Sequence, residues 1–215
     1  MAILRISRNK NIQEAPIFEC ISMLATAVGQ ALTKHMHELL DLIFACGLSE
    51  SLTQALVDLA HYIPPLLPII QEKLLNMLSM VLSGRPFKPL GSPANLPALS
   101  PAGPKDYKDG QTAETRNLEI TLALHTLGSF DFSGHVLNEF VRDCVIRYVE
   151  DDNAEVRKAA ALTCCQLFVR DPICYQTSNH AIQVVGEVID KLLTVGISDP
   201  GQICFQAGDP CLTQR

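Results

Sequence analysis

Eight stretches of this chain repeat apolar residues at three- and four-residue intervals. That spacing lays one apolar stripe along a helix, and a chain made of such stripes must bury them against other helices. The first runs over about residues 14–28, with Ile17, Ile21, Leu24 and Val28 on one face. The second, about 31–46, carries Leu32, Met36, Leu39, Leu40 and Ile43. Gly47 follows as a stop that tolerates positive φ, and Ser49 is an N-cap for the third stripe, Leu52, Leu56, Leu59 and Ile63. Pro64 and Pro65 end that helix. The fourth, to about residue 83, is apolar over a wide arc (Leu67, Ile70, Leu74, Leu75, Met77, Leu78, Val81 and Leu82), so it needs cover on more than one side.

Residues 84–116 break the pattern. Six prolines (86, 89, 93, 97, 101 and 104) forbid regular helix or interior strand, and the stretch reads as a long, disordered loop. Periodicity then resumes. The fifth helix, about 117–130, carries Ile120, Ala123, Leu124 and Leu127. The sixth, about 134–149, carries Leu137, Phe140, Val141, Cys144 and Tyr148. A seventh begins after Asp152 or Asn153. The eighth, about 179–195, carries Ala181, Val185, Val188, Leu192 and Val195, with Gly196 as its stop.

Taken in pairs, the helices recur about every 35–40 residues once the proline loop is set aside, the spacing of helical-hairpin repeats. The fold class is therefore all-α: an α-solenoid of about four hairpins with one long Pro-rich loop. A globular helical bundle satisfies the same periodicity. The expected organisation is an extension over 1–13, two hairpins over 14–83, the loop over 84–116, two hairpins over 117–200 and an irregular tail over 201–215. Stacked repeats need polar caps at their ends. The first and eighth helices show none, so both are expected to leave apolar surface uncovered.

The run Asp152-Asn153-Ala154-Glu155-Val156-Arg157-Lys158-Ala159-Ala160-Ala161 narrows the class of repeat. An acidic turn, then Val-Arg, then a turn of small residues is how the second helix of a HEAT-type repeat begins. Asp152, Val156, Arg157 and Ala160 form that repeat signature. Val156 and Ala160 must fit between closely packed helices. Arg157 reads as a structural partner of the acidic turn (Asp151, Asp152 or Glu155) and not as a ligand contact.

Longer segments point to a family. Cys20-Ile21-Ser22-Met23-Leu24-Ala25, Leu74-Leu75-Asn76-Met77-Leu78-Ser79-Met80-Val81-Leu82, the run Ile120-Thr121-Leu122-Ala123-Leu124-His125-Thr126-Leu127-Gly128-Ser129-Phe130, and Lys191-Leu192-Leu193-Thr194-Val195-Gly196-Ile197-Ser198-Asp199-Pro200 occur in order. Together they resemble the N-terminal HEAT region of the target-of-rapamycin serine/threonine kinases, from about residue 15 to 200. The resemblance implies a scaffold in kinase-complex assembly and dimerisation. It implies protein partners: adaptor subunits of the complex and a second kinase protomer. It implies a cytoplasmic location, at endomembranes only through the parent complex. After Pro200 the chain departs from the family pattern and reads as truncated. A free-standing HEAT or armadillo-like adaptor is the competing function.

Other readings are weaker. No phosphate-binding G-x-x-x-x-G-K-[ST] string or kinase H-R-D or D-F-G string occurs, so catalytic, cofactor-binding and metal residues are all expected to be absent. His35 and His37 stand two apart and point to different sides of a helix. Eight cysteines include no C-x-x-C; Cys20, Cys144 and Cys164 fall on apolar stripes as small hydrophobes, in a chain expected to be reduced. A net charge of −6 speaks against nucleic acid as a partner. No stretch reaches about 18 uncharged apolar residues, so no membrane span is expected. Ser92-Pro93 and Ser100-Pro101, in the loop, match proline-directed phosphorylation, which would add about −1.5 to −2 charges at each site.

Overall fold

The computed structural model describes residues 14–87, 113–170 and 179–198. All regular structure among them is helical. Helix α1 spans Ala15–Val28 and is followed by a 3-10 turn, Gly29–Leu32, and α2, Thr33–Phe44. Helix α3 spans Glu50–Tyr62; a 3-10 turn, Pro64–Leu66, leads into α4, Leu67–Ser83. Helix α5 is Ala113–Ser129. Helix α6 starts at Asn138–Phe140 and runs on through a π-helical turn, Val141–Val145, and a 3-10 turn, Ile146–Glu150. Helices α7, Ala154–Arg170, and α8, Asn179–Ser198, complete the order. The architecture is the expected all-α, solenoid-type hairpin fold.

The chain divides into two compact units, Met1–Leu78 and Ser79–Arg215, with the division inside α4. In the first unit α1 packs on α3. Ser49 is extended (φ −150°, ψ 158°), and its Oγ accepts from the Leu52 N–H at 3.2 Å, the N-cap its position suggested. Gly47 sits at φ 94°, a conformation that a side chain at that position would strain. Ile63 takes φ −130°, ψ 67° because the Pro64 ring excludes helical geometry from the residue before it, and α3 stops there. Leu52, Leu56, Leu59 and Ile63 are fully buried, as their spacing requires.

In the second unit α5 packs on α7, and α6 packs on both α7 and α8. Ile120, Ala123, Leu124 and Leu127 of α5 face inward with Phe140, Val141, Cys144 and Tyr148 of α6 and Val185 and Val188 of α8.

Three expectations need correction, and a fourth needs qualifying. Helix α1 buries Phe18, Ile21 and Ala25, not the Ile17–Ile21–Leu24–Val28 stripe; Leu24 and Val28 are 44% and 45% exposed, and Cys20 is exposed. The helix is apolar nearly all round, so periodicity alone did not fix which arc turns inward. Helix α5 begins at Ala113, four residues earlier than its apolar stripe. Ala113 favours helix, and Glu114 in the first turn complements the helix dipole. Helix α6 begins at Asn138 and is not regular: the overwound and underwound turns together keep Val141, Cys144, Val145, Tyr148 and Val149 buried. Finally, two runs, Ala15–Phe44 and Pro64–Ser83, are long and apolar enough to cross a membrane by composition. The first is two helices, since the chain breaks at Gly29 (φ 58°, ψ −136°). Its 14-residue α1 reaches about 21 Å, short of the roughly 30 Å hydrocarbon core. The second contains Glu72 and Lys73.

Most of the expected loop over 84–116, the extension over 1–13 and the tail over 201–215 lie outside the described residues.

Candidate interaction surface at the turn before helix α7

The turn from 150 to 154 is held by side chains that fold back on its own main chain. Asp151 Oδ1 accepts from the Asn153 N–H at 2.9 Å. Asn153 Oδ1 accepts from the amides of Glu155 (2.9 Å) and Val156 (3.2 Å), which caps α7 and fixes its start after Asn153. Arg157, one turn into the helix, reaches back: its Nη1 donates to the main-chain oxygens of Asp151 (3.0 Å) and Asp152 (3.1 Å). The geometry thus ties Arg157 to the acidic turn through carbonyls. Asp152 itself is exposed.

Below the turn, Val156, Ala159, Ala160 and Ala161 are buried. Small side chains let α7 approach α5 closely. At the closest point a Cβ on Gly128 would lie 2.1 Å from Gln166 Oε1 and 3.4 Å from the Thr163 Cα. Thr163 shares its buried hydroxyl proton between the carbonyls of Ala159 (2.8 Å) and Leu124 (2.9 Å), the latter on α5. At the far end Arg170 donates to the Phe130 carbonyl from Nη1 (2.8 Å) and the Ser129 carbonyl from Nη2 (3.1 Å). It thereby serves oxygens that the end of α5 leaves without helical partners. Tyr148 does the same for α4: its phenol donates to the Leu82 carbonyl at 2.6 Å, and the Arg147 guanidinium lies 5.0 Å from its ring centre.

Of the residues expected to mark the site, Asp152, Val156, Arg157 and Ala160 come together in this one turn and helix start. Ser92 and Ser100 lie outside the described residues. Sequence reasoning named Asp151 as a partner for Arg157 but missed its bond to the Asn153 amide, and it missed Thr163, Arg170 and Tyr148 as bonding residues. Asp151 carries a local signal, an acidic residue two before an Asn cap. The other three bond to partners 39 to 66 residues away, which no local pattern reveals.

What remains accessible is a shallow depression of about 440 Å³, lined by Ala113, Arg116, Asn117 and Ile120 of α5 and by Asp151, Asp152 and Asn153 of the turn. Its chemistry is mixed charge over one aliphatic side chain. Nothing there resembles a nucleophile with its base. Among the described residues no group of three or more His, Cys, Asp and Glu is placed to hold a metal. Burial pushes the thiols of Cys144 and Cys164 above their ordinary 9.0, so both are poor nucleophiles.

Hairpins of packed helices, with Arg157 and Arg170 turned onto main-chain carbonyls, define an all-α, solenoid-type class. Within it, the chain is a relative of the target-of-rapamycin serine/threonine kinases. It is 47% identical over 192 residues to the tor1 kinase of Schizosaccharomyces pombe, a match covering 89% of this chain and 8% of that protein. It is 34% identical over 196 residues to TOR2 of Saccharomyces cerevisiae (87% and 8%) and 32% identical over 189 residues to TOR of Arabidopsis thaliana (84% and 8%). The chain thus corresponds to a small segment of these large proteins. No protein-family profile matches it.

Proposed function

We propose that this chain is a non-catalytic, HEAT-type protein-interaction scaffold in target-of-rapamycin signalling. Its partners would be adaptor subunits of the kinase complex and a second kinase protomer. The reading rests on one observation above the rest: the similarity to kinases of this family covers 84–89% of the chain in three relatives. The geometry supports it. The polar side chains at the α7 start are engaged with their own backbone, which leaves surfaces and not a reaction centre to act. The same reading places the protein in the cytoplasm and makes Ser92 and Ser100 substrates of a proline-directed kinase.

Affinity capture of the tagged chain from cells, followed by mass spectrometry, tests the proposal. Target-of-rapamycin kinase or its adaptor subunits are expected among the captured proteins. Capture of transport proteins alone by a chain with a helical circular-dichroism spectrum would favour a free-standing adaptor. Phosphoryl transfer from Mg-ATP by the purified chain would end the non-catalytic reading. Phosphopeptide mapping that finds Ser92 and Ser100 unmodified would remove the phosphorylation arm.

A further inference from the structure

Within the second unit, arginines from three separate elements gather round one turn of α6. The Arg147 guanidinium donates from Nη2 to the Tyr148 phenol oxygen at 3.3 Å. The same phenol donates to the Leu82 carbonyl at 2.6 Å, which seats the end of α4 on this turn. The chain beyond α4 is pinned there. Ser79 Oγ donates to the Arg85 carbonyl at 2.7 Å, the Arg85 amide donates to Ser83 Oγ at 3.2 Å, and the Phe87 ring meets the Phe140 ring edge-on at 5.7 Å. Arg85 therefore follows α6 between Tyr148 and Phe140. Burial raises the Cys144 thiol and the Tyr148 phenol. Against that push, Arg147 and Arg85 act on the thiol, and Arg147 and Arg116 of α5 act on the phenol. Such action fades over about 10 Å, so the three guanidinium groups share one neighbourhood. All three residues are exposed. The acids that act on the same two groups are Asp143 and Asp151. Asp143 is paired with Arg142 at 2.8 Å, and Asp151 Oδ1 holds the Asn153 amide. In a chain of net charge −6, this is a local excess of positive charge.

We propose that Arg85 and Arg147, with Arg116 beside them, form a binding site for a phosphate monoester carried on a serine. The chemistry selects this ligand. Guanidinium groups are planar forks that bind phosphate oxygens two at a time, and they stay charged at any physiological pH. A serine phosphate brings about −1.5 to −2 charges and three acceptor oxygens, enough to engage two arginines at once. A single carboxylate offers one charge and two oxygens, and leaves the second arginine unmatched. Two sources share this chemistry. One is Ser92 of the same chain, seven residues past Arg85 (92 − 85), which an extended chain spans in about 23–25 Å. The other is a phosphoserine on a partner protein. The first source rests on the proline-directed phosphorylation proposed above, whereas the site itself does not.

Calorimetric titration of the full, unphosphorylated chain tests this. The probe is a synthetic peptide of residues 88–96 phosphorylated at Ser92, and the same peptide without phosphate is the control. The phosphopeptide is expected to bind about ten-fold or more tightly than the control, and more weakly as salt is raised. Arg85→Gln and Arg147→Gln should each weaken it about three- to ten-fold, with circular dichroism checking that helix content is kept. Arg142→Gln, which alters an arginine already paired with Asp143, should leave binding unchanged. The two sources are separated by phosphorylating Ser92 in the full chain with a proline-directed kinase. Weakened uptake of the added peptide by that chain means that Ser92 fills the site in cis. Undiminished uptake assigns the site to a partner's phosphoserine. Equal affinity for the two peptides overturns the proposal, and so does phosphopeptide binding that is the same in Arg85→Gln and Arg147→Gln as in the parent chain.

Discussion

The two units close their helices in different ways. In the first, the devices are local. Ser49 caps α3 from three residues away, Gly47 and Gly29 take positive φ after α2 and α1, and Pro64 stops α3 from the next position. In the second, three helix-to-helix ties come from far along the chain. Tyr148 serves Leu82, Thr163 serves Leu124, and Arg170 serves Ser129 and Phe130. The packing differs accordingly. The α3 side of the first unit fills its core with Leu52, Leu56, Leu59 and Ile63, whereas α7 presents Ala159, Ala160 and Ala161. Bulky aliphatic side chains keep helix axes apart, and contact area holds them. Small ones let main chains approach, so that polar side chains can bridge from one helix to the carbonyls of the next. The lesson is that small side chains at a helix contact leave room for hydrogen bonds from one helix to the carbonyls of the next, whereas a contact filled by bulky aliphatic side chains is held by buried area.

The largest test of this contrast is Val156→Asp. Val156 is fully buried one turn below the Asn153 cap, and a carboxylate there has no partner. The expected loss is more than about 4 kcal/mol, enough to unfold the α5–α7 packing. Amide exchange should show protection lost across α5 and α7 and kept in α3. Unchanged protection of α7 would place Val156 outside the core.

Arg170→Ala is next. It removes two charge-assisted bonds to the end of α5 from a part-exposed position, so the expected cost is about 1–2 kcal/mol. The discriminating readout is where the loss appears. Faster amide exchange should reach the last turn of α5, some 40 residues from the substitution, and not stay at the end of α7. Fraying limited to α7 would break the claim that this tie is long-range.

Tyr148→Phe is expected to cost about 0.5–1.5 kcal/mol at neutral pH, the share of one buried hydrogen bond. It also has a pH signature. Burial, the leading cause, pushes the Tyr148 phenol above its ordinary 10.0. A group whose folded pKa is raised holds its proton more tightly when folded. Its contribution is therefore intact below the ordinary value and is lost as pH climbs through and beyond it. Cys144 and Cys164, raised from 9.0 by burial, act in the same direction from a lower pH. Stability of the second unit should thus be level to about pH 9 and fall above it. Tyr148→Phe should flatten only the part above about pH 10. An unchanged slope there would show that the phenol is not buried in solution.

This contrast also explains how much was legible in the sequence. Helices α3 and α7 were readable to within a residue or two because each begins at a capping side chain followed by a clean stripe. The all-α class followed from the eight stripes, and the hairpin arrangement from their recurrence in pairs. The inward arc of α1 was not readable, because Met23, Leu24 and Val28 are as apolar as Phe18, Ile21 and Ala25, and only the position of α3 decides between them. Nor was the irregular winding of α6, where a regular stripe of apolar residues is kept buried by two opposite distortions. At the α7 turn Asp152, Val156, Arg157 and Ala160 are legible as a local pattern. That Arg157 grips the carbonyls of Asp151 and Asp152 is a matter of turn geometry, which residue type does not carry. Thr163, Arg170 and Tyr148 escaped for a single reason: each partner is a main-chain oxygen, which every residue has.

Ser49→Ala probes the local side of the comparison. Loss of the N-cap should cost about 1 kcal/mol, confined to the first turn of α3. Glycine at the same position should recover most of it, since an extended, solvated cap residue costs only a few tenths more than serine. Exchange changes that spread to α1 would mean that the first unit, too, relies on coupling between helices.

The smallest expected effect is the sharpest check. The first unit also has a long-range side-chain contact, the 2.6 Å ion pair between Lys73 Nζ and Asp41 Oδ1. If long-range ties matter wherever they occur, this pair should matter as Arg170 does. The physics of its surroundings says otherwise. The side chains are 37% and 77% exposed, so water solvates both charges already and salt screens what attraction is left. Arg170, by contrast, serves carbonyls that have no other helical partner. A double-mutant cycle on Asp41→Asn and Lys73→Met should therefore give a coupling of only about 0.2–0.5 kcal/mol, fading at high ionic strength. A coupling above about 1 kcal/mol that survives salt would show that distance along the chain, and not the orphaned carbonyl, is what makes the ties of the second unit strong.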